Sequence, residues 1–102
     1  MKIPKKSYVL VSGRKFKLKN NLSEDQIKKL INDGSCPFGA TNYSERVIAV
    51  REHKNKDEQV ITYIHELLHV ALIHSGLSQV ISPELQEIIC ESGANAVFDG
   101  FK

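Results

Sequence analysis

Residues 63–74 read YIHELLHVALIH, and this stretch decides how the rest of the sequence is interpreted. Its apolar residues recur at the i, i+3, i+4, i+7 spacing of a helix that buries one face. Asn55 can cap the beginning of the helix, and Ser75-Gly76 can end it. The sequence therefore predicts a long core helix. Its predicted buried stripe consists of Val60, Ile61, Ile64, Leu67, Leu68, Ala71 and Leu72.

Two histidines of this helix have the spacing of metal ligands. His65 and His69 are four positions apart and therefore about 40° apart around the helix axis, one turn from each other. This spacing lets both imidazoles approach one zinc ion at the usual Zn–N distance of about 2.0–2.1 Å. Glu66 lies about 100° from His65, beside the ligands, where its carboxylate can reach a water bound to the metal. The H-E-x-x-H pattern therefore predicts a zinc site with an adjacent acid–base residue.

The other two histidines do not extend this pattern. His74 lies five positions after His69, about 140° around the helix, and so it points elsewhere. In the H-E-x-x-H-x-x-G-x-x-H arrangement a glycine stands where this chain has Leu72. We therefore interpret His74 as a helix-end residue favoured by the helix dipole. We expect His53, in a loop after a strand, to be solvated.

The last predicted helix can supply a third ligand. It begins at Ser82-Pro83, an N-cap followed by proline, and it carries Glu84, Glu87 and Glu91 on one side. Glu87 lies in line with the stripe that this helix should bury, and Glu91 lies on the edge of that stripe. A catalytic zinc usually has three protein ligands, and either carboxylate could be the third. The predicted stripe consists of Cys90, Ala94, Phe98 and Phe101.

The remaining elements predict an α+β fold. Tyr8–Val11 and residues 14–18 read as two strands of a hairpin around Ser12-Gly13. A short helix follows the capping box of Ser23 and ends at Gly34. Residues 35–39 read as a loop, and residues 46–50 read as a strand that is apolar on both faces and hence central. The predicted order is β-β-α-β-α-α, a small sheet packed against helices in a single domain over residues 1–102.

Composition limits the classes of function. The chain has 102 residues, 41% of them hydrophobic and 25% charged, which are globular values. A net charge of +2 gives no independent case for a nucleic-acid partner. We expect the basic residues near the N-terminus to lie on solvated strand faces. These residues are Lys2, Lys5, Lys6, Arg14, Lys15, Lys17 and Lys19.

The cysteines and the hydropathy pattern bear on location. Cys36 and Cys90 are far apart and form no C-x-x-C pair, which is typical of a protein in a reducing compartment. Cys90 falls in an apolar run and is expected in the core. The sequence shows neither a signal-peptide pattern nor a run of 18 apolar residues, so we expect a cytoplasmic protein without membrane contact.

Three segments resemble one known family. HELLH, the later ESGANAVF and the earlier FGATNYSERVIAV are similar to the ImmA/IrrE family of small zinc metallopeptidases, which are common in phages and mobile elements. The resemblance covers residues 38–101. It implies a gluzincin-like, minimal zincin domain in which His65, His69 and a glutamate bind Zn²⁺ and Glu66 is the acid–base residue. The family's glutamate motif matches Glu91, which favours Glu91 over Glu87. Leu68 departs from the family, where many members have glycine.

These observations predict a zinc-dependent metallopeptidase that hydrolyses a peptide bond in a protein or peptide. Glu66 would activate the zinc-bound water and later protonate the leaving amine. A donor for the developing oxyanion is also needed, and Tyr43, Tyr63 and His53 are candidates by residue type. The alternative is a non-catalytic, zinc-containing protein-binding module of phage or mobile-element origin. Nucleic-acid binding through the basic N-terminal hairpin is a third hypothesis that ranks below the other two.

Overall fold

The chain folds into a small set of strands and helices. The computed structural model describes residues 1–101, which form four strands and three α-helices. The strands are β1 (Tyr8–Val11), β2 (Arg14–Leu22), β3 (Gly39–Asn42) and β4 (Val47–Arg51). The helices are α1 (Glu24–Ile31), α2 (Lys56–Ser75) and α3 (Pro83–Gly100), with a 3₁₀ turn at Leu77–Gln79 between the last two.

The strands form one mixed sheet in the order β1-β2-β4-β3. β1 and β2 pair antiparallel through a tight turn in which Ser12 and Gly13 both have positive φ, 52° and 77°. β2 and β4 pair in parallel, with Leu18 opposite Ile48, and β3 pairs antiparallel with β4. β4 is therefore a central strand, as its two apolar faces predicted. The mixed sheet with three helices confirms the predicted α+β class.

The two faces of the sheet are covered differently. The inner face packs against α2 and carries the buried side chains Phe16, Leu18, Ile48 and Val50. On the outer face, α1 covers β4, where Val47 and Ala49 are buried beneath the fully buried Ile27. Because α1 has only eight residues, it covers one part of the outer face and leaves the β1–β2 part open.

Helix α2 lies between the sheet and α3, so it is buried on more than one side. Asn55 caps it by accepting hydrogen bonds from the backbone N–H groups of Asp57 and Glu58, and Gly76 ends it with φ at 83°. Four residues of the predicted stripe are buried, but Leu67, Leu68 and Ala71 are only partly buried. Val70, which was not predicted, is completely buried. The single-stripe prediction was too narrow because it assumed one packing partner.

Helix α3 begins as predicted, with the Ser82 side chain accepting a hydrogen bond from the Leu85 backbone. Its buried stripe consists of Cys90, Ala94 and Phe98. Phe101 was expected in that stripe, but it is 67% exposed because the helix ends one residue earlier. α3 approaches α2 closely at Gly93, where a Cβ atom would lie 2.9 Å from Leu68 Cδ1.

Two further boundaries differ from the prediction. α1 has the predicted capping box, but it ends at Asn32 with φ at 55°, two residues before Gly34. The prediction also missed β3, because GATN has no β-branched or aromatic run and was read as part of a loop. β3 forms along β4, with Gly39 opposite Val50 and Thr41 opposite Ile48, so its conformation depends on a tertiary partner.

Within residues 1–101, none of the helices combines the length and the apolar content that crossing a bilayer requires.

Candidate metal centre

The centre is formed where α2 faces both α3 and β3. His65, Glu66 and His69 offer ligand atoms that all lie within 4.8 Å of one another. Glu66 is buried, and the side chains of His65 and His69 are only 14% and 17% exposed. Helical periodicity places the two histidines on one face, as the sequence predicted, and the packing of α3 brings carboxylates to them.

The two imidazoles converge on one point. His65 Nε2 and His69 Nε2 are 3.0 Å apart. The Glu87 carboxylate completes a triangle, with Oε1 2.9 Å from His69 Nε2 and Oε2 3.3 Å from His65 Nε2. Ligand atoms of a tetrahedral zinc with bonds of about 2.0–2.1 Å lie about 3.3–3.4 Å from each other. The three distances of 2.9, 3.0 and 3.3 Å are each within a few tenths of an ångström of that spacing, so the chemistry and the separation of these groups fit such an ion.

Glu91 occupies a different position. Its Oε2 lies 2.9 Å from Nδ1 of His65, on the side of the ring away from His69. If Nδ1 donates its proton to this carboxylate, the Nε2 lone pair is left for a metal. Asn95 donates to the Glu91 backbone carbonyl at 2.9 Å and to its Oε1 at 3.3 Å, which fixes the carboxylate. The geometry therefore favours Glu87 as third ligand and Glu91 as the residue that orients His65.

Glu66 is held beside this triangle by β3. Thr41 Oγ1 donates a 2.8 Å hydrogen bond to Glu66 Oε1. Gly39 leaves room for the same side chain, since a Cβ there would lie 3.1 Å from Glu66 Cγ. Burial raises the pKa of Glu66, and the Thr41 hydrogen bond partly opposes that rise. A carboxyl group with a raised pKa is a better proton acceptor than an exposed one, as general-base work requires.

Tyr43 is the candidate oxyanion donor that the structure brings to the site. It lines a cavity of about 370 Å³ together with Thr41, Glu66, both site histidines and Glu87. Burial, with a further contribution from the Glu66 charge, raises the pKa of Tyr43 to about 12, so its hydroxyl remains a donor at neutral pH.

The other two candidate donors lie elsewhere. Tyr63 belongs to the hydrophobic core. His53 stacks on Phe38 with ring centroids 4.6 Å apart, and its Nδ1 accepts a hydrogen bond from the Asn55 backbone. It is partly buried rather than solvated, which corrects the prediction. His74 packs edge-on against Phe16 and does not reach the site, as expected.

The backbone of β3 is open next to the site. Arg51 N–H donates to the Phe38 carbonyl, which identifies this pair as a hydrogen-bonded pair of the antiparallel ladder. Because such pairs alternate, Gly39 and Thr41 occupy non-hydrogen-bonded positions. Their N–H and C=O groups point away from β4, towards the outer edge of the sheet.

Comparison with known proteins gives no match for this chain, whether it is made against protein-family models, against curated proteins or against solved structures.

Sequence reasoning missed Thr41 and the backbone of Gly39. Both positions depend on β3, whose own four residues carry no strand signal. The segment is nevertheless short and lies directly before the central strand. Antiparallel strands are commonly joined by short turns, so an added hairpin partner for β4 was the available clue.

Proposed function

We propose that this chain is a zinc-dependent metallopeptidase. The supporting observation is the triangle formed by His65 Nε2, His69 Nε2 and the Glu87 carboxylate, next to a buried Glu66. Two neutral imidazoles and one carboxylate are a common ligand set for catalytic zinc, with a fourth position open. The resemblance to the ImmA/IrrE family supports the same proposal.

Each side chain has a separate task in this proposal. A zinc ion held by His65, His69 and Glu87 would act as a Lewis acid for a bound water and for the scissile carbonyl. Glu66 accepts the proton of the attacking water and returns it to the leaving nitrogen. Tyr43 donates a hydrogen bond to the oxygen that becomes negative. Glu91 holds the tautomer and the orientation of His65.

The open edge of β3 suggests how a substrate would bind. An extended peptide can add a strand to an exposed sheet edge through main-chain hydrogen bonds. The backbone groups that point outward belong to Gly39, which leaves room for the Glu66 side chain, and to Thr41, which donates a hydrogen bond to it. A peptide paired with them would lie alongside the carboxylate. We therefore infer that the substrate is an extended segment of a protein or peptide.

Glu66→Gln tests the proposal, because glutamine keeps the hydrogen bond from Thr41 but cannot accept a proton. Purified wild-type protein should contain one zinc per chain and cleave an unfolded protein or a peptide library. The variant should retain the zinc and lose cleavage by about 10²-fold or more. Glu84→Gln, which changes the charge equally at an exposed position of α3, is the matched control and should remain active.

Three other outcomes decide between the alternatives. Wild-type protein that stays metal-free when zinc is supplied would refute the metal centre. Zinc-loaded protein that cleaves no peptide in the library would instead support the non-catalytic, protein-binding alternative. Cleavage that persists in Glu66→Gln would refute the role given to this residue.

A further inference from the structure

The charges of this chain are distributed very unevenly. Residues 1–22 contain seven of the fourteen Lys and Arg residues and no Asp or Glu. The remaining residues therefore hold seven basic side chains against all twelve acidic ones. The whole-chain net charge of +2 hides this asymmetry, because the basic segment and the acidic remainder nearly cancel. Such a molecule can attract a polyanion at one surface although its net charge is small.

The sheet concentrates part of the basic segment on its open face. Lys15, Lys17 and Lys19 alternate along β2 with the buried Phe16 and Leu18, so all three lysines point to the outer face. The helix α1 covers β4 on that face but leaves β2 uncovered. The result is a row of three exposed lysine side chains along β2, which we call the lysine row.

Side chains next to the lysine row extend the surface. Tyr8 on β1 lies opposite Lys17, is 44% exposed and has the Lys15 ammonium 4.0 Å from its ring centroid. A shallow depression of about 470 Å³ is lined by Tyr8, Lys15, Lys17 and Arg46 together with Ser7 and Glu45. Glu45 is the one carboxylate in that lining. The surface thus combines a row of positive charge with an accessible aromatic ring.

We propose that the lysine row binds the phosphodiester backbone of a nucleic acid. Alternate residues of a strand are about 6.8 Å apart. This distance is comparable to the through-space separation of neighbouring phosphates along one sugar–phosphate backbone, which is larger than the axial rise of about 3.4 Å per phosphate because the backbone winds around the axis. Each of the three lysines can therefore face one of three successive phosphates. Aromatic rings beside basic grooves are also the means by which proteins hold single strands.

Two other polyanions fit the surface less well. An anionic membrane surface favours basic residues combined with a large apolar area that enters the interface. In the β1–β2 part of the outer face, Leu10 supplies exposed aliphatic surface at 69% exposure, but it is a single side chain. An acidic protein segment would match the row only with carboxylates at alternate positions of an extended chain, whereas every nucleotide of a nucleic acid carries a phosphate. Nucleic acid is the partner that both the spacing and the aromatic ring favour.

Fluorescence anisotropy with labelled oligothymidine and with a short duplex tests the proposal and distinguishes single-stranded from duplex ligands. With three phosphate contacts, log K should fall against log salt with a slope of about −2 for the single strand and about −3 for the duplex. The variant Lys15→Gln/Lys17→Gln/Lys19→Gln should lose at least about tenfold in affinity at about 50 mM salt, with a slope near zero. These side chains are exposed, so folding should be unaffected, which circular dichroism can verify.

A charge-matched variant separates a specific surface from general attraction. Lys28→Gln/Lys29→Gln/Lys54→Gln removes the same charge from exposed positions outside the lysine row, and its affinity should stay within about twofold of wild type. Tyr8→Leu should weaken binding to the single strand by about tenfold and leave the duplex nearly unaffected.

Several results would overturn the proposal. One is an equal loss of affinity in the two triple variants. Another is the absence of binding at protein concentrations up to about 100 µM, the weak limit of non-specific association. The third is binding to anionic vesicles without binding to either oligonucleotide. None of these measurements requires zinc or proteolysis, so the outcome is independent of the proposed peptidase function.

Discussion

Gly39→Ala should disturb the link between β3 and the candidate metal centre. The added Cβ would lie 2.6 Å from Thr62 Cγ2, closer than carbon atoms approach in folded proteins, and 3.2 Å from Glu66 Oε2. Thr62 belongs to the rigid helix α2, and its hydroxyl is held by the Glu58 carbonyl at 2.9 Å. Rotating the methyl group away would break that hydrogen bond, so the substitution is relieved either by losing this bond or by a shift of β3.

The cost of Gly39→Ala can be worked out from two opposing contributions. Overpacking by one methyl group costs about 1–3 kcal/mol. Gly39 does not have a positive φ, so alanine also restricts the unfolded chain and returns about 0.4–1 kcal/mol. We therefore expect a net loss of about 1–2 kcal/mol, which for a domain of this size lowers Tm by about 5–15 °C.

Thermal unfolding measures the contact between residue 39 and Thr62 directly when it is applied to Gly39→Ala, Thr62→Ser and the double variant. Serine keeps the hydroxyl of Thr62 but removes Cγ2, so the double variant should recover most of the loss, with a coupling of about 1 kcal/mol. Gly100→Ala, whose Cβ would meet no atom within 4 Å, is the control and should be neutral or slightly stabilising. A Gly39→Ala variant as stable as wild type, or a double variant without recovery, would refute the close approach of β3 to α2.

Three further predictions concern the metal centre and the core. Glu87→Ala should abolish measurable zinc binding, whereas Glu91→Ala should weaken zinc binding only about 10–100-fold and Glu91→Gln by a smaller factor. Isothermal titration with zinc measures these affinities. The reverse order would identify Glu91 as the ligand. In metal-free protein, Glu66→Gln should be more stable than wild type at neutral pH. Burial raises the pKa of Glu66 in the folded state, so ionising this carboxyl group costs folding free energy. Wild-type protein therefore keeps its full stability below the usual pKa of 4.5 and loses part of it as pH rises through the pKa of the folded state. Urea unfolding with a chelator should show the stabilities of wild type and variant converging in acid, and a difference that does not change with pH would contradict the reasoning. Burial raises the pKa of the Cys90 thiol to about 11. At pH near 8 an alkylating reagent should therefore modify the partly exposed Cys36 in native protein and reach Cys90 only after unfolding. Equal alkylation rates of the two cysteines in native protein would mean that α3 is not packed as described.

The features that could be predicted from the sequence are those encoded within a few residues. The spacing of His65 and His69 fixes their common face, because the helix period is a local property. The Asn55 and Ser82 caps likewise depend on hydrogen bonds to residues only two or three positions away. The hairpin, the central strand and the α+β class followed from equally local patterns.

The features that could not be predicted depend on how elements pack. Glu87 and Glu91 are one helical turn apart on the same side of α3, so periodicity alone leaves both as candidate ligands. Which one meets the paired nitrogens depends on how far α3 is shifted along α2, and no sequence period specifies that shift. The same holds for Thr41 and Tyr43, which reach the site only because β3 pairs with β4.

The open edge of β3 also carries a risk for the molecule. A sheet edge that accepts any extended segment will accept a strand of another copy as readily as a substrate, and this is the usual route to edge-to-edge aggregation. Covering the edge would remove the risk but would also close the way to Glu66. The chain instead keeps the strand to four residues, from Gly39 to Asn42. So short a template offers few hydrogen bonds to a second copy, and under the proposed function it would hold a passing segment only briefly.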